Sequence, residues 1–315
     1  MSSRPFERLR RFEAQLDHCI SCGYCYEHCP LYKSTHWESD APRAKLVLLF
    51  GLLHGQVEPS KRVVQRLFEC FDCKRCEAVC SSGVPFTEIL RDARMDLRDA
   101  GLDVDGLTSF NASGACARCL ACVRVCKHEA RRVTPEKSVV VDKVKCVGCG
   151  ACVEVCPRLT VQLATTHGVS SPELARDMDA FLDARSNGEA KAVVFCCNWS
   201  NYPGILNSRY ERPEASYKIL VNMCAGRLPP QLLMHAFERN AWGVLVSGCP
   251  EGECDNDGNL RARQTVDHVR SMLDQLGLDA QRLEYVEIPK GSPAKLEAAI
   301  ATFMEQLQAL GPLPA

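Results

Sequence analysis

The chain has 315 residues, 46% of them hydrophobic, which is long enough for two or three domains and at least one sizeable core. Its 38 basic and 39 acidic side chains leave a formal net charge of -1, which excludes the one-sided electrostatic footprint of a nucleic-acid binder or of a protein held on an anionic membrane. Met1 to Gln15 carry Arg and Glu instead of the apolar stretch of a secretory leader, so a cytoplasmic location is expected, where 21 cysteines read as metal ligands and not as a disulfide framework.

Sixteen of the cysteines fall into four runs of one spacing. The first is Cys19-x-x-Cys22-x-x-Cys25-x-x-x-Cys29 followed by Pro30, and the second is Cys70-x-x-Cys73-x-x-Cys76-x-x-x-Cys80. Between them, Leu46, Leu49 and Leu53 and then Val63 and Leu67 recur at helical spacing, as do Ile89, Leu90 and Leu97 within Phe86 to Ala100. Residues 1–108 are therefore expected to form a mostly helical two-cluster domain. The longest apolar run, Leu46 to Leu53, is too short to span a bilayer, so no direct membrane insertion is expected.

The third run, Cys116-x-x-Cys119-x-x-Cys122-x-x-x-Cys126, and the fourth, Cys146-x-x-Cys149-x-x-Cys152-x-x-x-Cys156 with Pro157, lie closer together, with a strand signal at Val139-Val140-Val141. Residues 109–170 resemble a compact βαββαβ ferredoxin domain of the bacterial type. Residues 171–190 are polar and read as a helical linker with a turn at Ser186-Asn187-Gly188. From residue 191 to 311, strands at Ala192 to Cys196, Lys218 to Asn222, Gly243 to Ser247 and Leu283 to Ile288 alternate with helices at Gln231 to Arg239, Leu260 to Leu276 and Pro293 to Leu310. That alternation predicts an α/β domain with a parallel sheet. The fold class expected for the whole is multidomain α+β.

Three thiolates at C-x-x-C-x-x-C spacing can wrap one loop around three corners of an iron–sulfur cube, while the fourth cysteine points away to complete a second cube. Paired runs then exchange ligands. Four [4Fe-4S] clusters are expected, on Cys19, Cys22, Cys25 and Cys80; on Cys70, Cys73, Cys76 and Cys29; on Cys116, Cys119, Cys122 and Cys156; and on Cys146, Cys149, Cys152 and Cys126. Gly23, Gly148 and Gly150 stand inside the loops, where a missing Cβ would let backbone N–H groups approach the sulfurs. Zinc, which needs four ligands and usually arrives as paired C-x-x-C knuckles, suits one such run but not four. Ser81 and Lys127 replace the proline that often follows the fourth cysteine, which bears on the local turn.

The segments CISCGYCYEHCPLY, APRAK, CFDCKRCEAVC and GVPFTEIL resemble the C subunit of heterodisulfide reductase and related helical ferredoxin domains. That resemblance implies a relay docked on a catalytic or flavin subunit.

Five cysteines remain: Cys196, Cys197, Cys224, Cys249 and Cys254. Cys196 and Cys197, Cys224 and Cys249 each follow a predicted strand, at the edge where open parallel sheets build their sites, and a [2Fe-2S] cluster is the economical occupant of one shared site. The stretches FCCNWSNYPG, MCAGRLPPQLLMHAFERNAWGVLVSGC and PEGECDNDGN closely resemble the delta subunit of methyl-viologen-reducing hydrogenase over about residues 192–305. The resemblance implies a [2Fe-2S] cluster and electron delivery to the flavin-containing A subunit of heterodisulfide reductase. Where that family commonly reads C-N-W-C, this chain has Cys197-Asn198-Trp199-Ser200, and serine is a poor ligand here. The ligand set implied is Cys197, Cys224, Cys249 and Cys254, with Cys196 as the alternative to Cys197 or as a buried apolar thiol.

Asp255-Asn256-Asp257-Gly258 lacks the remaining ligand positions of a calcium loop and reads as a turn. No Cys-x-His pair of a Rieske site is present, and His235 reads as a packed or satisfied surface group. With no G-x-G-x-x-G, Walker loop or nucleophile elbow, the chain presents no nucleotide, flavin or hydrolytic site of its own. The function expected is a non-catalytic electron-transfer subunit between a dehydrogenase or hydrogenase and a flavin-containing, heterodisulfide reductase-like complex, which could be electron-bifurcating. The alternative is a disulfide reductase working through the C-terminal cysteines.

Overall fold

The computed structural model describes residues 6–111, 116–158, 160–163, 171–184, 190–200 and 216–314. It divides into two compact units, Met1–Gly168 and Val169–Ala315.

The first unit opens with helices where the apolar spacing predicts them, at Pro42–Leu53, Lys61–Phe68 and Phe86–Asp99. Pro42 stands in a first turn, where its missing N–H leaves no helical bond unmade. Ser60 caps the second helix by accepting the Val63 N–H at 3.4 Å. With the short helices Glu7–Arg10 and Glu13–Asp17, these elements enclose, among the described residues, a cluster of sixteen buried side chains of their own half, Leu9, Leu49, Leu67, Ile89 and Leu97 among them, joined by Val144. Asp96 ties the chain start to this core, accepting from the Arg8 guanidinium at 2.9 Å and from the Leu9 N–H at 3.0 Å.

The same unit continues with four strands of three residues each: β1 Ser109–Asn111, β2 Arg131–Val133, β3 Val139–Val141 and β4 Val161–Leu163. β1 pairs antiparallel with β4, and β2 with β3. One-turn helices Ala121–Arg124 and Ala151–Glu154 lie between β1 and β2 and between β3 and β4. The buried cluster local to these elements consists of Cys122, Cys152 and Val161.

The second unit is built on a parallel sheet of β5 Ala192–Cys197, β6 Tyr217–Asn222, β7 Gly243–Gly248 and β8 Leu283–Glu287 in the order β6-β5-β7-β8. Side chains alternate across it. Val193, Phe195 and Cys197 pack with helices Pro230–Glu238 and Gly258–Gln275, while Ala192, Val194 and Cys196 pack with helix Pro293–Leu310. The segment expected as a linker is helical over Ser171–Asp183, and its Leu174 and Met178 are buried in the first of these two cores. Buried Lys191 donates from Nζ to the Phe181 carbonyl at 2.9 Å, closing the end of that helix. The turn expected at Ser186-Asn187-Gly188 lies outside the described residues. Among the described residues no helix is long and apolar enough to cross a membrane.

Candidate metal centres

All four cysteine runs share one backbone shape. The residues on either side of the second cysteine are left-handed in each: Ser21 (φ 55°) and Gly23 (84°), Asp72 (50°) and Lys74 (58°), Arg118 (53°) and Leu120 (61°), Gly148 (63°) and Gly150 (79°). Five of these eight positions are not glycine, and an L-residue loses about 1–2 kcal/mol there. A shape repeated four times against that cost marks the four loops as one device. Left-handed residues within a short turn are the means by which backbone concavities that receive anions and iron–sulfur centres are built. The three loop glycines are thus explained by positive φ, a requirement that non-glycine residues meet in the second and third runs. Gly148 carries a further constraint, since a Cβ there would stand 2.6 Å from the Leu107 carbonyl oxygen.

Thiols from different runs are brought together. Cys29 joins Cys70, Cys73 and Cys76 around a pocket holding about 380 Å³ of empty space, its open mouth included. Cys156 joins Cys116, Cys119 and Cys122 around a second pocket of about 340 Å³. These are two of the four expected sets, each completed by the last cysteine of the other run. Of the remaining sets, Cys19 and Cys80 pack against the same helical core, and Cys22 is exposed. Cys146 lies within electrostatic reach of Cys152. Among the described residues no three His, Cys, Asp or Glu side chains close on one point as ligands of a single ion. Thiols spaced around a volume suit a multi-atom core.

The turn after the fourth cysteine forms with or without proline. Cys80 Sγ accepts the Val84 N–H at 3.4 Å, Cys126 Sγ accepts the Ala130 N–H at 3.3 Å, and the Thr160 hydroxyl lies 3.4 Å from Cys156 Sγ. Ser81 and Lys127 therefore leave the local geometry intact.

Burial dominates the protonation of these thiols. It pushes Cys70, Cys73 and Cys76 up, Cys73 to about 12, and raises Cys25, Cys122 and Cys146 as well. At Cys156 burial also acts upward, but the Thr160 hydroxyl and the N–H groups of Arg158, Thr160 and Val161 outweigh it and hold the thiol down to about 7. Thiolate ligation must displace the remaining protons.

Two buried cations stand beside the Cys29 pocket. Lys45 donates from Nζ to the Glu69 carbonyl at 2.5 Å, and Arg94 donates to the Leu67 carbonyl at 2.9 Å and the Cys70 carbonyl at 3.4 Å. Motif reading singles out neither. The available signal is a cation in register with an apolar stripe: Lys45 precedes Leu49 by four residues, and Arg94 follows Leu90 by four.

In the second unit four thiols meet at the carboxyl ends of the strands. Cys197 Sγ and Cys249 Sγ are 3.8 Å apart, and Cys254 is in hydrogen-bond contact with both Cys224 and Cys249. Within the group, S–H donation from Cys249 holds Cys197 below the ordinary thiol range, and donation from Cys224 and Cys249 does the same for Cys254. Their partners Cys224 and Cys249 are held above it. Cys254 also accepts the Gly258 N–H at 3.2 Å, at the start of helix Gly258–Gln275, where the helix dipole favours a thiolate. Gly258 is required there because any Cβ would collide with Cys224 Sγ.

Cys196 takes no part in this group. It is fully buried on the opposite face of the sheet and donates to the Cys197 carbonyl at 3.2 Å. Ser200, in the place of the family's second cysteine, is fully buried, with its hydroxyl unpartnered among the described residues. Asp255 is paired with Lys290 at 2.9 Å, and Asp257 is the left-handed residue before the helix, so the acidic stretch serves as a turn. His235 lies 2.9 Å from Asp179 in a partly exposed polar network.

A family model described as methyl-viologen-reducing hydrogenase, delta subunit, matches residues 192–311. The iron-sulfur D subunit of the vhc F420-non-reducing hydrogenase of Methanococcus voltae is 34% identical over 129 residues, 40% of this chain and 90% of that protein. This chain belongs to the methyl-viologen-reducing hydrogenase delta-subunit family. The region that carries this likeness is preceded by two matches to 4Fe-4S dicluster domains, at residues 15–84 and 115–159, which coincide with the two pairs of runs and mark this member of the family as an iron–sulfur protein. The A subunit of the ferredoxin:CoB-CoM heterodisulfide reductase of Methanosarcina mazei is 29% identical over 204 residues, 55% of this chain; the chain spans about a quarter (25%) of that relative's length. A probable glycolate oxidase iron-sulfur subunit of Bacillus subtilis is 37% identical over 86 residues, 27% of this chain and 19% of that protein.

Proposed function

We propose that this delta-subunit-family protein is a cytoplasmic electron relay carrying four [4Fe-4S] clusters and one [2Fe-2S] cluster. The former are held by the four cysteine sets given above, and the latter by Cys197, Cys224, Cys249 and Cys254. The observation that carries the reading is the sorting of distant thiols into separate groups within one chain, two of them around pockets and one at the strand ends. When bound, such centres supply one-electron exchange at potentials set by burial, charge and hydrogen bonds to sulfur. The chain's own residues supply the rest. The paired left-handed positions shape each loop, and buried Lys45 and Arg94 place positive charge beside one pocket.

The partners we propose are a hydrogenase or dehydrogenase on one side and a flavin-containing, heterodisulfide reductase A-like subunit on the other, in a complex that could be electron-bifurcating. Relatedness to the D subunit of a hydrogenase and to the A subunit of a heterodisulfide reductase supports that choice. The relay reading is favoured over disulfide reduction because Cys196, the neighbour such chemistry would pair with Cys197, turns its thiol to the other face of the sheet. A redox titration followed by electron paramagnetic resonance should show several reversible one-electron centres, and the same protein should turn over no disulfide substrate. Steady disulfide reduction by the isolated chain would replace the relay with an enzyme.

A further inference from the structure

Three of the four strands of the C-terminal sheet end in a thiol of the four-cysteine group: Cys197 closes β5, Cys224 follows β6 and Cys249 follows β7. The fourth strand, β8, sends no cysteine. It sends Tyr285, which is in register with Val246 and therefore on the same face as Cys197. The Tyr285 hydroxyl oxygen is buried and has no hydrogen-bond partner among the described residues. It fills the space where a side chain of Gly248 would stand, with two ring carbons 3.1 Å from that point, and Gly248 is the residue before Cys249. The ring packs against the same apolar cluster as Cys249 and Cys254. The Arg263 guanidinium, 5.6 Å above the ring, is paired with Glu287 and lies over the ring face.

A buried hydroxyl without an acceptor is unfavourable, and this one stands at the Cβ position of Gly248, next in sequence to the thiol of Cys249. We infer that Tyr285 is a positioning and tuning residue of the C-terminal centre, its hydroxyl donating a hydrogen bond to a sulfide of the bound cluster. Gly248 is then required so that the hydroxyl can reach past the strand to the edge where Cys249 stands. Burial pushes Tyr285 above the ordinary tyrosine range, so the hydroxyl keeps the proton it donates. Reduction adds negative charge to the centre, and a donor aimed at sulfur stabilises the reduced form and raises the midpoint potential.

The inference rests on the proposed [2Fe-2S] centre, and the test separates the two. Tyr285→Phe keeps the ring against Gly248 and removes only the donor. In the full chain purified anaerobically, titrated under electron paramagnetic resonance, the variant should retain its iron and its [2Fe-2S] signal. Its midpoint should fall by at least a tenfold change in the reduction equilibrium, 59 mV for one electron, while the [4Fe-4S] midpoints stay in place. An unchanged [2Fe-2S] midpoint in Tyr285→Phe overturns this inference alone. A wild-type protein without any [2Fe-2S] signal overturns the centre and the inference together.

Discussion

Stripping iron from the protein with a chelator under anaerobic, reducing conditions should collapse residues 116–163 and leave the C-terminal sheet folded. The first segment has almost no core of its own: among the described residues its local buried cluster is Cys122, Cys152 and Val161, and two of those three are proposed ligands. Burying one valine contributes about 1.5–3 kcal/mol, whereas ordering each residue costs about 1.5 kcal/mol. Strands of three residues cannot close that gap, so the metal–thiolate bonds must. Cysteine density alone suggests that both cysteine-rich domains depend on their clusters in this way. The structure separates them, because among the described residues the helical half supplies sixteen of the buried residues clustered around Leu49, Leu67 and Leu90 and should keep much of its helix. Hydrogen exchange read by mass spectrometry checks this segment by segment: protection at Arg131–Val133 and Val139–Val141 should vanish on iron removal while Ala192–Cys197 stays protected. Protection retained at all of these strands in iron-free protein would show that the fold does not draw on the clusters.

Replacing Cys197 with Ala should abolish the [2Fe-2S] signal and spare the cubane signals, whereas Cys196→Ala should leave every signal in place. The two residues are neighbours on one strand, and the two-residue period of β structure sends them to opposite faces. Cys197 meets Cys249 at 3.8 Å, while Cys196 is enclosed with Val194, Leu245 and Ile300 on the far side. Losing one of four thiolates leaves one iron a ligand short, and no fifth thiol of the group is at hand to replace it. Losing the Cys196 sulfur instead leaves a small void, for which a cost of about 1 kcal/mol in stability is expected. The reverse pattern, with the signal lost in Cys196→Ala and kept in Cys197→Ala, would mean that the strand register differs by one residue when the centre is formed.

The extent to which the site can be read in the sequence follows from the kind of signal each feature leaves. The apolar runs of β5, β6, β7 and β8 are bounded by polar residues, which places their strands to within a residue or so. Run spacing suffices to expect exchanged fourth cysteines, and Cys29 and Cys156 each line a pocket with three cysteines of the partner run. Helix Ser171–Asp183 reads as linker because Arg and Asp surround its apolar residues, although Leu174, Met178 and Phe181 recur at helical spacing and are buried. Left-handed backbone around each second cysteine is visible only where glycine marks it; Asp72, Lys74, Arg118 and Leu120 give no local hint, since the conformation there is set by the loop as a whole. Tyr285 packed over Gly248 is a contact between adjacent strands far apart in sequence, which no local pattern can announce.

The most direct test of the central claim is a count of metal and acid-labile sulfide per chain in anaerobically purified protein, by elemental analysis alongside electron paramagnetic resonance. Four cubanes and one two-iron centre predict about eighteen irons, a similar complement of sulfide, and signals of both cluster types on reduction. Zinc in stoichiometric amount with little iron would contradict the account.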